Sequence, residues 1–306
     1  VSKGLCVCTA VAGNYLAFAR VLADSFHRHH PDVPFYLLLP DPPAPGFPAH
    51  RLTLKDIAIP NRQSLLLRYN RKQVMVAAKP ALLRHLLDVG YDTVLFLDPD
   101  TLVTASLSPL FETVRQHSLT LTPHLPPAFA SAERPSLERS LLYAGMYNGG
   151  VIGVTSHAES RRFLAWWEAR LQTHCLEALP RGIHYDQRWL DLAPSFVADC
   201  HLLRDPGVNL AYWNLPDFEL STPATGLHVD GVPLRLFHFS GYRPEDPGRV
   251  TCHRSNLHVD DLGLAAGLFR SYNKMLLDAG WAETNQKPWP WDGWRKLVRR
   301  LLARIR

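Results

Sequence analysis

Short apolar runs alternate with amphipathic stretches along the first hundred residues, and this alternation restricts the chain to few folds. "GLCVCTAV" (4–11) precedes a helical pattern near 15–29, and "PFYLLLP" (34–40) follows it. A Pro-rich turn, "DPPAPGFP", leads to a helical stretch at 71–88, then Gly90 and "TVLFL" (93–97). Continuous apolar strands separated by helices are the pattern of a parallel sheet covered on both faces, so the fold class is α/β. Runs at 119–122 and 148–154 extend the sheet, and "AESRRFLAWWEARLQTHC" (158–175) reads as a further helix, with Trp166 and Trp167 in its buried stripe. No internal repeat or low-complexity tract interrupts the pattern.

With 306 residues, 46% hydrophobic and 20% charged, the chain can bury one large core, with room for a small annex. The expected division is a domain at 1–250 and a helical C-terminal extension at 251–306. No apolar stretch reaches the roughly 20 residues that span a bilayer. The start, "VSKGLCVCTAVAG", lacks the order of regions in a signal peptide, so a cytoplasmic protein is expected. Five cysteines without metal-ligand spacing read as reduced; Cys6 and Cys8 share one face of a strand and are badly placed to bond each other.

The net charge of +5 is uneven. Arg295, Lys296, Arg299, Arg300, Arg304 and Arg306 crowd the last stretch, and without those six the chain carries −1. Trp294, Leu297, Val298, Leu301, Leu302 and Ile305 give the same stretch an apolar helical stripe. Two readings stand: peripheral contact of 294–306 with an anionic membrane, or a terminal helix packed on the body. Nucleic-acid binding is not expected, because the basic residues are confined to one end and no recognition motif accompanies them.

"TVLFL" ends in Asp98-Pro99-Asp100. Ligands of open parallel sheets bind at the carboxyl ends of strands, and two carboxylates there repel unless a cation lies between them. Oxygen ligands suit Mg2+ or Mn2+, which also bind diphosphates; the alternative is a turn cap beside a paired strand-end acid. "YNGGVIGV" (147–154) sets Asn148, Gly149 and Gly150 at a strand start, where glycine permits close approach of a ligand or simply a tight turn. "HYDQRWLD" (184–191) puts Asp186 and Gln187 at a helix start, and "LFHFSGYRP" (236–244) ends a strand with His238, Gly241 and Arg243. An imidazole can complete a Mn2+ site begun by two carboxylates, and a guanidinium can meet phosphates bidentately.

These four motifs, in this order, resemble the metal-dependent glycosyltransferases of the GT-A fold, and most closely the retaining branch that includes glycogenin and lipopolysaccharide galactosyltransferases. "DQRWLDLAPSF", "DPGVNLAYWNL" and "FHFSGY" also look like bacterial enzymes of this kind linked to surface polysaccharides. The resemblance runs from about residue 71 to 245. It implies a Rossmann-like, mostly parallel sheet, a Mn2+ or Mg2+ ion on Asp98, Asp100 and His238, and a nucleotide-diphosphate sugar, UDP-linked for preference, as donor. The acceptor would be a glycan or a lipid-linked glycan. Thr9, Ala10 and Tyr15 would line the nucleotide pocket, with Asp98 near the ribose or sugar. Lys79 would contact the donor, unless it is a solvated helix charge. Asn148, Gly149, Gly150, Asp186 and Gln187 would surround the transferred sugar, with Asp186 and Gln187 catalytic. Gly241 and Arg243 would face the diphosphate. One departure stands out: the glycogenin-like pattern has a lysine three residues after the glycine equivalent to Gly241, then Pro-Trp, whereas here Arg243-Pro244 comes one residue sooner and no Trp follows.

Two readings of other classes compete. A nucleotidyltransferase would share the doubly wound sheet and acidic metal ligands, but "TAVAGNY" is less basic and less Gly-rich than its phosphate loop requires. A non-catalytic sugar-nucleotide-binding protein would need no intact metal triad. "DPGVNLAYWNLPDFEL" (205–220) is the expected acceptor-side loop, with Asn209 and Tyr212 as its candidates.

Overall fold

A computed structural model describes residues 3–40, 46–125, 135–224, 226–295 and 298. Its centre is a seven-stranded sheet. Strands β1 (Leu5–Ala10), β2 (Phe35–Leu38), β3 (His50–Leu52) and β4 (Thr93–Leu97) lie parallel, in the order β4-β1-β2-β3. A short strand β5 (Thr101–Val103) leaves this sheet just after Asp100. Beyond β4 come β7 (Tyr147–Thr155), then β6 (Leu119–Pro123), then Cys200–Leu202 at the edge. The sequence pattern for β4 is explained by its burial on both faces. Val94 and Phe96 join a core with Leu82, Leu86, Ile152 and Trp167, while Leu95 and Leu97 join another with Val7, Phe26 and Phe111.

The sheet is mostly parallel, as expected, with one strand reversed. β7 runs antiparallel to both β4 and β6, with Leu97 opposite Val151 and Phe96 opposite Ile152. The reversal has a consequence for the site: the beginning of an antiparallel strand lies at the same sheet edge as the ends of the parallel ones. Asn148 to Gly150 therefore meet Asp98, whose N–H donates to the Gly150 carbonyl at 2.7 Å.

The helical stretch expected at 71–88 is two helices, Arg71–Ala77 and Lys79–Asp88. The first is started by a capping box, in which the Asn70 side chain accepts from Gln73 N–H and the Gln73 side chain accepts from Asn70 N–H. The break falls at Ala78, where Pro80 supplies no N–H and so suits the first turn of the second helix. This break sets Lys79 at a helix start facing the sheet edge.

A second, smaller sheet joins three distant segments in the order Val208–Leu210, Leu236–His238, β5. Beneath it Phe237, Phe239 and Leu102 pack with Phe18 of helix Leu16–His29 and with Phe269, Tyr272 and Leu276 of helix Ala265–Asp278. The segment after residue 251 thus contributes a buried face, and Arg71 further ties the chain at Lys287 by donating to its carbonyl. Trp167 is fully buried, as its place in the helical stripe leads one to expect, and Trp166 is part-buried at the rim of the same core. All five cysteines are free, with Cys6 and Cys8 in the same core. No helix among the described residues is long and apolar enough to cross a membrane. The basic amphipathic stretch expected at 294–306 lies, apart from Trp294, Arg295 and Val298, outside the described residues.

Candidate active site

The register of the small sheet builds the site. After Asp98-Pro99-Asp100 the chain turns, with Thr101 N–H and Oγ1 both donating to the Asp98 carbonyl. It then enters β5, which pairs antiparallel with Leu236–His238 so that His238 lies opposite Thr101. Phe239 N–H donates to the Asp100 carbonyl at 2.8 Å, and His238 Nε2 comes 3.2 Å from Asp100 Oδ1. Residues 138 positions apart in the chain become neighbours through this pairing.

One donor atom from each of Asp98, Asp100 and His238 fits within 4.8 Å of the others. Their side chains are 24%, 16% and 3% exposed, so the imidazole forms the floor and the carboxylates the open side. Gly150 closes the wall. A Cβ there would come 2.6 Å from Asn148 Oδ1, 2.7 Å from His238 Cε1 and 2.8 Å from Asp98 Oδ2, so no larger residue fits without moving the ligand set. Hard carboxylate oxygens with one imidazole suit Mn2+ or Mg2+, and the residues present fit such an ion.

Lys79 is not a solvated helix charge. It is buried, with Nζ 3.1 Å from Asp98 Oδ1, 3.0 Å from Asp186 Oδ2 and 2.9 Å from the Gly149 carbonyl to which it donates. Its ammonium also lies 4.7 Å from the Phe96 ring centroid. Burial alone would lower its pKa, but Asp186 and Asp98 push it above the ordinary lysine value, so it stays charged. Lys79 therefore neutralises the acids from the protein side and leaves Asp98 Oδ2 and Asp100 to the open side.

The remaining charges divide unequally. Burial raises the Asp98 carboxyl's pKa, which Lys79 only partly offsets, and Asp100 adds repulsion. Burial pushes Asp100 the same way, yet the charge and hydrogen bond of His238 hold it below the usual carboxylate range. For His238 burial favours the neutral ring, but Asp100 and then Asp98 raise its pKa.

Asp186 and Gln187 stand at the start of the short helix Gln187–Leu190, although the Asp186 side chain caps nothing there. It is buried and turned instead toward Lys79 and toward Gly149, where a Cβ would come 2.9 Å from its Oδ2. Its backbone carbonyl accepts from Trp167 Nε1–H at 3.2 Å. Gln187 reaches the same turn, its Oε1 accepting from Gly149 N–H at 3.5 Å and its Nε2 donating to the Ala144 carbonyl. Asn148 is occupied locally. Its Oδ1 accepts from Gly150 N–H, and its Nδ2 faces His124 Nε2 at 3.3 Å.

The expected nucleotide-side residues lie at the end of β1 and just after it. Thr9 and Ala10 are buried, and Thr9 Oγ1 has no hydrogen-bond partner among the described residues. Tyr15 is part-exposed, stacked on Phe18 at 4.6 Å, with Asp100, Cys252 and Arg243 within electrostatic reach of its hydroxyl. Arg243 is not in the buried cluster. It is exposed in a cleft lined by Gly241, Glu245, Asp246, Arg249, Thr251 and Cys252. Gly241 has φ +72°, and a Cβ there would lie 2.6 Å from Thr251 Oγ1 and 2.7 Å from His253 Cδ2, so glycine is required on both counts.

Sequence reasoning missed His253 against Gly241, Lys72 over the Tyr185 ring, and His124 behind Asn148. None belongs to a motif with a spacing of its own; each reaches the site only through the fold. Asn209 is also placed differently from the acceptor-loop expectation: it is buried, and its Oδ1 lies 2.9 Å from His238 Nδ1. Tyr212, half-buried, faces the His253 ring at 6.4 Å.

Comparison with known proteins bears on the fold. No protein-family model matches the chain. Two Bacillus subtilis (strain 168) proteins are similar: the uncharacterized YfnF, 28% identical over 249 residues, covering 77% of this chain and 81% of its own, and the uncharacterized YfnD, 24% identical over 245 residues, covering 76% of each. Among solved structures, the galactosyltransferase LgtC in complex with donor and acceptor sugar analogs superposes with a TM-score of 0.54 at 18% identity. That match covers 94% of this chain and 99% of LgtC. An active-site mutant of LgtC gives 0.53 over the same coverage. The chain has the mixed α/β architecture of LgtC, a GT-A fold with a helical C-terminal part.

Proposed function

We propose that the protein is a glycosyltransferase that moves a sugar from a nucleotide-diphosphate sugar to a glycan or lipid-linked glycan, with a divalent cation held by Asp98, Asp100 and His238. The observation that carries this reading is the convergence of those three donors at the carboxyl edge of a GT-A sheet, open on one side and backed by Lys79. Similarity to LgtC supports the reaction class, and the resemblance to the retaining branch supports retention.

A divalent ion at this site would supply positive charge against a diphosphate leaving group. The chain's own groups do the rest. Lys79 pins Asp98 and Asp186 in place, so the carboxylates need no reorganisation during the reaction, which is where preorganised electrostatics gains most. Asp186 and Gln187, beside the Gly149 backbone, orient hydroxyls of the transferred sugar and stabilise positive charge at its anomeric carbon. Gly149 leaves room for the Asp186 carboxylate and Gly150 for Asn148, His238 and Asp98, so these side chains close around the sugar site. Thr9, Ala10 and Tyr15 face the nucleoside. Arg243, exposed beside Gly241, is free to swing onto the phosphates, which accommodates the shifted position of that basic residue. With donor and acceptor held together, much of the rate gain is positional.

A thermal-shift series of UDP-, GDP- and CDP-linked sugars, each with and without Mn2+, tests the reading. A donor bound well below its working concentration should raise the melting temperature, and only when Mn2+ is present. No stabilisation by any of them with Mn2+ removes the proposal, whereas equal stabilisation without metal removes the cation from it. Proton NMR of the anomeric centre in the product separates retention from inversion.

A further inference from the structure

Asn209 occupies an unusual place in the small sheet. Val208 pairs with Leu236 and Leu210 with Phe237, so the register slips across Asn209, and its φ is +63°. A bulged residue leaves the ladder and its side chain is re-aimed. Here it is aimed at His238: Oδ1 lies 2.9 Å from Nδ1, with Asn209 wholly buried and His238 3% exposed. The bulge is braced from behind, because Asn214 Nδ2 donates to the Asn209 carbonyl at 3.3 Å and Asn214 Oδ1 accepts from Ala211 N–H at 2.8 Å. Trp213 packs its edge on the His238 ring, centroids 5.2 Å apart at 82°.

An amide oxygen accepts and cannot donate, so the nitrogen facing it must carry a hydrogen. A neutral imidazole has one N–H; with it on Nδ1, the lone pair belongs to Nε2. That atom is the one 3.2 Å from Asp100 Oδ1. Two acceptors at this distance repel unless a proton or a cation lies between them. The Asn209 bond is unchanged in either case.

We propose that Asn209 is the positioning residue that fixes His238 with its proton on Nδ1, so that Nε2 is presented to a divalent cation beside Asp98 and Asp100. This rests on the metal-binding reading of that triad. The competing explanation is that asparagine is present only because it tolerates a left-handed backbone. Glycine tolerates that backbone as well, so Asn209→Gly keeps the bulge and removes the acceptor together with the rest of the side chain, while Asn209→Asp keeps an acceptor oxygen in nearly the same volume.

Mn2+ alone, titrated into the full chain without donor and followed by EPR of the free ion, provides the test. Loss of such an outer partner typically weakens metal binding about 10- to 100-fold, so Asn209→Gly should fall in that range and Asn209→Asp should stay within a few-fold of the parent. Long-range 1H–15N NMR of the metal-free parent at alkaline pH should find the His238 proton on Nδ1. Parent-like Mn2+ affinity in Asn209→Gly overturns the proposal, as does a proton on Nε2 in the parent. The NMR result decides even if the glycine variant does not fold. A parent that binds no Mn2+ refutes the metal reading itself, and this inference with it.

Discussion

The two sheets divide the labour differently. The seven-stranded sheet is the scaffold: β4 is buried along its whole length, and the site takes from its edge Asp98 and, through β7, Gly150. The small sheet has strands of only three residues, drawn from segments around 102, 209 and 237, yet it delivers His238 to Asp100 and Asn209 to His238. A large apolar layer fixes where the edge is, and a small clasp of paired backbone fixes which side chains meet there. The first task rewards burial; the second rewards register.

This contrast can be broken first by matched truncations. Phe35→Ala in β2 and Phe237→Ala in the small sheet each remove a buried ring, and each should cost about 3–5 kcal/mol in urea unfolding. Only Phe237→Ala should also weaken Mn2+ binding, since it loosens the strand that carries His238; equal metal affinities in the two variants would erase the distinction. A loss approaching that size, about 3 kcal/mol, is expected for Lys79→Met, because the buried Asp186 and the part-buried Asp98 lose their shared cation. Parent-like stability in that variant would mean that Lys79 is not what holds Asp98 and Asp186 together.

A smaller effect belongs to His124 at the end of β6. Burial is the main cause that pushes its pKa down to about 4, from 6.5 when unfolded, so the folded state keeps the ring neutral. The associated stability is complete above pH 6.5 and is lost as pH falls toward 4, because only the unfolded chain takes up the proton in that window. The loss should approach about 3 kcal/mol. Denaturation series at pH 7 and pH 4.5 check it, with His124→Gln showing a flatter dependence. The smallest change is expected for Arg243→Ala, within about 0.5 kcal/mol of the parent in stability because the side chain is exposed. Its effect should be confined to nucleotide-sugar affinity; an unaltered affinity would exclude Arg243 from the phosphate contacts.

Much of the scaffold was legible in the chain. "TVLFL" is a strand with those bounds, since a threonine and four apolar residues ended by Asp-Pro-Asp have no amphipathic alternative, and the helix read at 158–175 spans Ala158–His174. The direction of β7 was not legible, because alternation and apolarity are the same whichever way a strand runs. Nor is the break at Ala78 legible in Pro80, which is compatible with a first helical turn as well as with a kink. Lys79 illustrates the limit for side chains. On a helix drawn from sequence it could point to solvent or to the sheet, and only packing turned it onto Asp98 and Asp186. Asn209 had the right residue type for a left-handed backbone, but no local signal says that its amide would face an imidazole 29 residues away.

The amino-acid sequence by itself determined the layered α/β class, the acidic pair at a strand end and the order of the motifs, because these follow from local hydrophobic pattern and covalent proximity. Tertiary structure alone decided that His238 meets Asp100, that Lys79 is buried between two acids, and that Asn209 stands behind the imidazole. Each of those contacts depends on the pairing register of short strands or the facing of a helix, and both are set by the packing of distant segments.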